Sequence, residues 1–307
     1  MKVFATLMAL ALSTGATAAP QLTTVATVPA SHRLVEGVAS DGRTIWVSSV
    51  IDRTILACRT RCVPLARLPE SITPLGMAWD GKRQLLWIAA DCPPLPGVAK
   101  CANGSLVALD RKGRLARRLA PIRTGFHPGD VSAAGGNVFV SDSLSGAVYR
   151  LDRPGTALTT FLAPGIGKSA QGSVLDAAGR RLILADYSRG VASIDLATGK
   201  RTLLPQADGS PLRGIDGIAR CNDRYFTVFN AQPPGRLIAF TIKDERIVTQ
   251  DIVSGPPLLD PTQLATDGKR LLIVANAGWE AASKPNSPPR QPAPIMALAL
   301  SEHCKAN

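Results

Sequence analysis

Short apolar runs recur along the chain, each closed by a small, acidic or amide residue. They include Trp46-Val47, Leu86-Trp87-Ile88, Val138-Phe139-Val140, Leu182-Ile183-Leu184 and Leu271-Leu272-Ile273-Val274. Runs this short, bounded by turn residues, suit strands buried on both faces. Asp41-Gly42, Asp80-Gly81, Gly135-Gly136-Asn137 and Asp267-Gly268 stand just before such runs and supply the positive φ of tight hairpins. A second, more alternating segment follows each run, as in Val148-Tyr149-Arg150-Leu151. Alternation predicts half-buried outer strands there.

Together these segments form one phrase, repeated six times: EGVASDGRTIWVSSV from Glu36, LGMAWDGKRQLLWIAAD from Leu75, GDVSAAGGNVFVSDS from Gly129, GSVLDAAGRRLILADYS from Gly172, DGIARCNDRYFTVFN from Asp216 and TQLATDGKRLLIVANAG from Thr262. The copies start roughly 40 to 55 residues apart, the spacing of propeller blades. The sixth copy ends after its third strand, whereas a spare strand, Leu22 to Val28, precedes the first. Pairing the two closes the ring and removes an exposed sheet edge. The expectation is an all-β, six-bladed β-propeller closed by an N-terminal strand that completes the last blade, occupying residues 19–307 as a single domain.

Residues 1–18 read as a signal peptide: Lys2, an apolar run from Val3 to Leu12, and Ala16-Thr17-Ala18 as cleavage site. That run is too short to span a bilayer, and no later segment suits a membrane anchor. The expected location is periplasmic or secreted. Six cysteines in an exported chain suggest three disulfides. Local spacing favours Cys58 with Cys62 and Cys92 with Cys101, leaving Cys221 with Cys304. The cysteines lack the paired spacing of a zinc site. A net charge of +12 raises nucleic acid as a partner, but export and the lack of an aromatic-rich basic stripe argue against it. A monomer acting on a small-molecule substrate is expected.

A propeller places the first-strand openings and the loops after the second strands on one face. Glu36, Asp130, Gln171, Asp216 and Gln263 are expected to ring the channel there. Ser48, Asp91, Asp142, Asp186, Asn230 and Asn276 lie near them at second-strand ends. Asp and Asn at such ends most often hydrogen-bond the next loop's backbone. Oxygen donors with few histidines suit a hard divalent cation such as calcium. Glu36 and Asp216 would neutralise it, with Gln171 or Asp130 completing the shell. A bound carbonyl would be polarised and a bound water acidified, a workable hydrolase centre. His32 and His127 precede the first and third blades and are candidate acid–base groups.

On these residues the chain resembles the gluconolactonase/regucalcin-like six-bladed propellers, with strictosidine-synthase-like and paraoxonase-like propellers as more distant relatives. Glu36-Gly37 opening the first blade and Asp216-Gly217 opening the fifth carry the resemblance most sharply. It implies one divalent cation, usually calcium, at the top of the channel. It makes Glu36 a metal ligand and Asp216 both ligand and base. The family's fourth-blade Asn falls at Gln171. Its third-blade Asn falls at Gly129, which has no ligand atom, beside Asp130. The resemblance implies a metal-dependent lactonase; a non-catalytic propeller that binds a ligand or protein is the alternative.

Overall fold

The apolar runs form the second strands of six four-stranded antiparallel sheets in a computed structural model that describes residues 21–59, 61–152, 154–284 and 291–300. Blade 1 is Val35–Ser40, Ile45–Ser49, Thr54–Cys58 and Cys62–Arg67, from channel to rim. Blades 2 to 5 repeat this order, with innermost strands Thr73–Asp80, Pro128–Ala134, Ala170–Leu175 and Ile215–Cys221. Blade 6 is built from both ends of the chain. Its inner strands are Leu264–Thr266, Arg270–Val274 and Ala293–Ala299, and Thr23–Val28 pairs antiparallel with the last of these. Innermost strands touch those of both neighbouring blades all the way round, so blade 6 also packs on blade 1. Val35 N–H donates to the Ala277 carbonyl across that closing seam at 3.1 Å.

Burial explains the apolar runs. Leu86, Trp87 and Ile88 are at most 1% exposed, because each second strand is sandwiched between two sheets. The third strands are more buried than their alternation predicts. Ser105–Leu109 is buried throughout, as is Gly190–Asp195 up to its last residue. The half-buried or exposed rank is the fourth strand, for example Leu115–Leu119. Neighbouring blades overlap as far as the third strand, and only the outermost one reaches beyond its neighbour.

Disulfides join Cys58 to Cys62, across the hairpin of blade 1's outer strands, and Cys92 to Cys101. Cys221 is disulfide-bonded, and its expected partner Cys304 lies outside the described residues. The expected signal peptide, residues 1–18, also lies outside them. Among the described residues no helix is long and apolar enough to cross a membrane.

The innermost strands share a local irregularity. In blades 1 to 5 the ladder to the second strand slips near its start: between Val35 and Val38, Pro74 and Met77, Pro128 and Asp130, Ala170 and Ser173, and Ile215 and Ile218. Such bulges re-aim side chains and are common beside functional sites. In blades 1, 2, 4 and 5 a glycine, Gly37, Gly76, Gly172 or Gly217, sits here for lack of space. A Cβ on Gly76 would lie 2.0 Å from Asp130 Oδ1, and one on Gly217 would lie 2.7 Å from Leu264 N.

Candidate functional site

The bulges aim Glu36, Gln171 and Asp216 into a cavity of about 580 Å³ at one mouth of the channel. His127, Tyr187, Asn230, Asp260 and Trp279 share its wall. Blade 2's second strand, Leu85–Asp91, ends at the wall with Asp91, and the Cys92–Cys101 loop forms part of the rim.

Each acidic side chain has a defined partner. Glu36 Oε2 accepts the indole N–H of Trp279 at 2.6 Å. Trp279 opens the short helix Trp279–Ser283, and Asp260 Oδ2 holds its N–H and that of Gly278 at 2.8 and 2.9 Å. Asp216 Oδ2 accepts from Asn230 Nδ2 at 3.2 Å, and the same amide donates to the Pro261 carbonyl at 2.9 Å. Asn230 Oδ1 is buried without a hydrogen-bond partner. Gln171 donates from Nε2 to Ser169 Oγ at 3.3 Å, leaving its Oε1 near Gly129.

Burial dominates the electrostatics. The carboxylates touch a water-accessible cavity, yet protein surrounds them on every other side. Desolvation therefore pushes Glu36 well above the usual carboxylate range, and repulsion from Asp216 adds to it. The Trp279 hydrogen bond offsets part of this, while Asp260 and Asp130 act in the raising direction. Desolvation pushes Asp216 up to about 7, eased by Asn230 and reinforced by Asp260. Tyr187 is raised by burial and by the same two aspartates.

The sequence expectations separate here. Glu36, Gln171, Asp216 and His127 share the upper cavity. Asp130 and Gln263 do not ring the mouth. Each stands one residue further along its strand, at the position that Gly37, Gly76, Gly172 and Gly217 hold in the other blades. Blades 3 and 6 face each other across the six-fold ring, and Gln263 Nε2 donates to Asp130 Oδ1 across the channel. Gln263 Oε1 accepts Val38 N–H at 2.6 Å and Met77 N–H at 3.2 Å. The pair is a crossbar below the upper cavity, bordering a second cavity of about 250 Å³ on its far side. Desolvation pushes Asp130 to about 8. His32 sits in the turn that leads into blade 1, its N–H on the Pro29 carbonyl at 3.0 Å, outside the residues lining the upper cavity. Asp142 and Asp186 bind loop backbone: Asp142 accepts from Leu144, Ser145 and His127 N–H, and Asp186 from Lys168, Ser169 and Arg189 N–H.

The donor set suits a hard cation. Carboxylates of Glu36 and Asp216, the unpartnered Asn230 oxygen and Gln171 Oε1 are all oxygen ligands, the chemistry calcium selects. A cation would also relieve the repulsion between the two acids. Among the described residues the one trio of carboxylate, imidazole or thiol ligand atoms within 4.8 Å of one another is Asp91, Cys92 and Cys101, and its sulfurs are tied in a disulfide. At the mouth, amides and water would complete any shell.

No protein-family model matches the chain. No curated protein matches it in sequence. Solved structures do. A PQQ-bound aldose sugar dehydrogenase from Streptomyces coelicolor is 16% identical with a TM-score of 0.63, over 92% of this chain and 99% of that one. A gluconolactonase of Xanthomonas campestris is 14% identical with a TM-score of 0.61, over 91% and 89%. Another protein ascribed to the gluconolactonases is 14% identical with a TM-score of 0.62, over 92% and 93%. At these identities what the chain shares with gluconolactonases and with a sugar dehydrogenase is their fold.

Proposed function

We propose that the chain is an exported, divalent-metal-dependent hydrolase, a lactonase acting on a small lactone or ester at the mouth of the propeller channel. One observation carries the reading: Glu36 and Asp216, from blades 1 and 5, converge on one water-accessible cavity where burial holds both acids above their ordinary range, with repulsion from Asp216 adding at Glu36 and repulsion from Asp260 adding at Asp216. Buried carboxylates raised in this way mark a candidate functional site, and a cation between them would offset the cost of their charge. Structural likeness to gluconolactonases points the same way. The Cys58–Cys62 and Cys92–Cys101 disulfides support an oxidising compartment.

In this reading Glu36, Asp216, Asn230 and Gln171 hold the ion, with calcium the expected metal. The chemistry such an ion would supply there is that of a Lewis acid, polarising a carbonyl and lowering the pKa of a coordinated water. The rest falls to the chain. Trp279 fixes the direction of Glu36, and Asn230 that of Asp216. Leu75, Pro93, Pro94 and the Trp279 ring give the cavity an apolar wall against which a small lactone can lie. Asp216 and His127 are the groups able to take a proton there. The protein works as a monomer on a small molecule.

Titration calorimetry with Ca²⁺ and with Mn²⁺ tests the metal, and a panel of lactones and esters with metal-loaded protein tests the reaction. Saturable binding lost in Glu36→Gln, with turnover of at least one lactone, is expected. Absence of binding by either ion, or unchanged binding in Glu36→Gln, would refute the proposal.

A further inference from the structure

We infer that Asp91 is a positioning residue that fixes His127 as the proton-transfer group of the upper cavity. Its activity arm rests on the hydrolase reading above; its geometry does not. Asp91 ends the second strand of blade 2, and His127 immediately precedes the first strand of blade 3. His127 Nδ1 lies 3.2 and 3.3 Å from the two Asp91 oxygens. His127 is held at its backbone too, its main-chain N–H donating to Asp142 Oδ2 at 2.9 Å and its main-chain carbonyl accepting Ser143 N–H at 3.1 Å. The Asp91 side chain is 8% exposed and that of His127 25%, so the carboxylate is the buried anchor and the ring faces the cavity. Thr73 Oγ1 donates to the Asp91 carbonyl at 2.9 Å, and the Cys92–Cys101 disulfide follows directly, so the anchor is itself clamped.

A carboxylate beside Nδ1 selects the tautomer that carries its proton there. Nε2 is then left with a free lone pair. A water attacking the substrate carbonyl gives its proton to Nε2 as the new O–C bond forms. The same proton passes to the ring oxygen as the acyl C–O bond breaks. One water is consumed, a hydroxy acid leaves, and the imidazole returns neutral. The charged and titratable groups around the ring are Asp91 from blade 2, Asp142 from blade 3, and Glu36, Tyr187, Asp216 and Asp260 in the wall of the same cavity.

Asp91→Asn separates this role from packing. Cys92 N–H already donates to the Asp91 side chain. In the variant that N–H takes the amide oxygen, so the amide NH₂ meets His127 and reverses the tautomer. Long-range ¹H–¹⁵N spectra of the histidine rings, with His127→Gln to assign the signal, should show Nδ1–H in the wild type and Nε2–H in Asp91→Asn. On a lactone that the wild type hydrolyses, kcat in Asp91→Asn should fall roughly 10²-fold with KM nearly unchanged, the lower end of what general acid–base catalysis supplies. The pH profile should change with it, and adding Asp91→Asn to His127→Gln should cost nothing further. An Nε2–H tautomer in the wild type, the same tautomer in both proteins, or wild-type kcat in Asp91→Asn would overturn the inference. If no lactone is hydrolysed the hydrolase reading fails, while the ring tautomer still decides whether Asp91 governs His127.

Discussion

Asp216→Asn removes a charge that the folded chain holds against both burial and a neighbouring acid, while keeping the size and hydrogen-bonding shape of the side chain. Asp216 is raised from 3.8 to about 7 in the fold. A folded-state value above the unfolded one stabilises the fold while the group is protonated, and that stability is lost as pH rises from about 4 through about 7. Above pH 8 the full penalty applies, roughly 4 kcal/mol at about 1.4 kcal/mol for each tenfold change in proton affinity. The carboxylate borders a water-accessible cavity, and screening there reduces the expected gain from Asp216→Asn to about 2 kcal/mol. For a domain of this size that is a rise of about 3 °C in Tm at pH 8.5, with less than half of it at pH 5. Melts in EDTA at the two pH values read this directly. Added Ca²⁺ should then raise the Tm of the wild type, because a ligand of the folded state stabilises it by mass action. The variant should not respond. A variant less stable than wild type at pH 8.5, or an equal shift at both pH values, would refute the electrostatic account of the site.

Other outcomes follow from the same geometry. Gly76→Ala puts a methyl 2.0 Å from Asp130 Oδ1 and should lower stability by about 1–3 kcal/mol in denaturant titration, the usual cost of overpacking. Asp130→Asn keeps the crossbar atoms and should leave cation binding by calorimetry within about twofold of wild type, since Asp130 lies outside the upper cavity wall. Replacing Cys92 and Cys101 with Ser opens a short loop and should cost about 2–3 kcal/mol in chain entropy, read from melts of the pure variant. Deleting Thr23–Val28 uncovers the edge of Ala293–Ala299 and should make the protein aggregate relative to the full chain by light scattering.

Much of the fold was legible because a propeller repeats. The missing fourth strand of the last copy and the spare Leu22–Val28 implied closure, and Thr23–Val28 forms it. Glu36 and Asp216 were legible because both precede the glycine of their copies. The same alignment held a signal that composition alone hid: set on the glycines, Asp130 and Gln263 occupy the glycine column and not the column of Glu36, Gln171 and Asp216. A one-residue step along a bulged strand moved them from the mouth into the crossbar. Asp260, just before blade 6, and Trp279, in the connection between that blade's second and third strands, lie outside the repeated phrase, so periodicity offers no handle on them. Their link to Glu36 arises only when the ring closes and blade 6 meets blade 1. The third strands misled for a related reason: Tyr149 and its neighbours alternate in type, but the blades on either side cover both faces, and Tyr149 is fully buried.

The most direct measurement is anomalous diffraction from crystals grown with Ca²⁺. A single strong peak about 2.3–2.6 Å from the carboxylate oxygens of both Glu36 and Asp216 is predicted, the normal calcium–oxygen distance. A peak elsewhere in the channel, or an upper cavity without one at saturating Ca²⁺, would contradict the account.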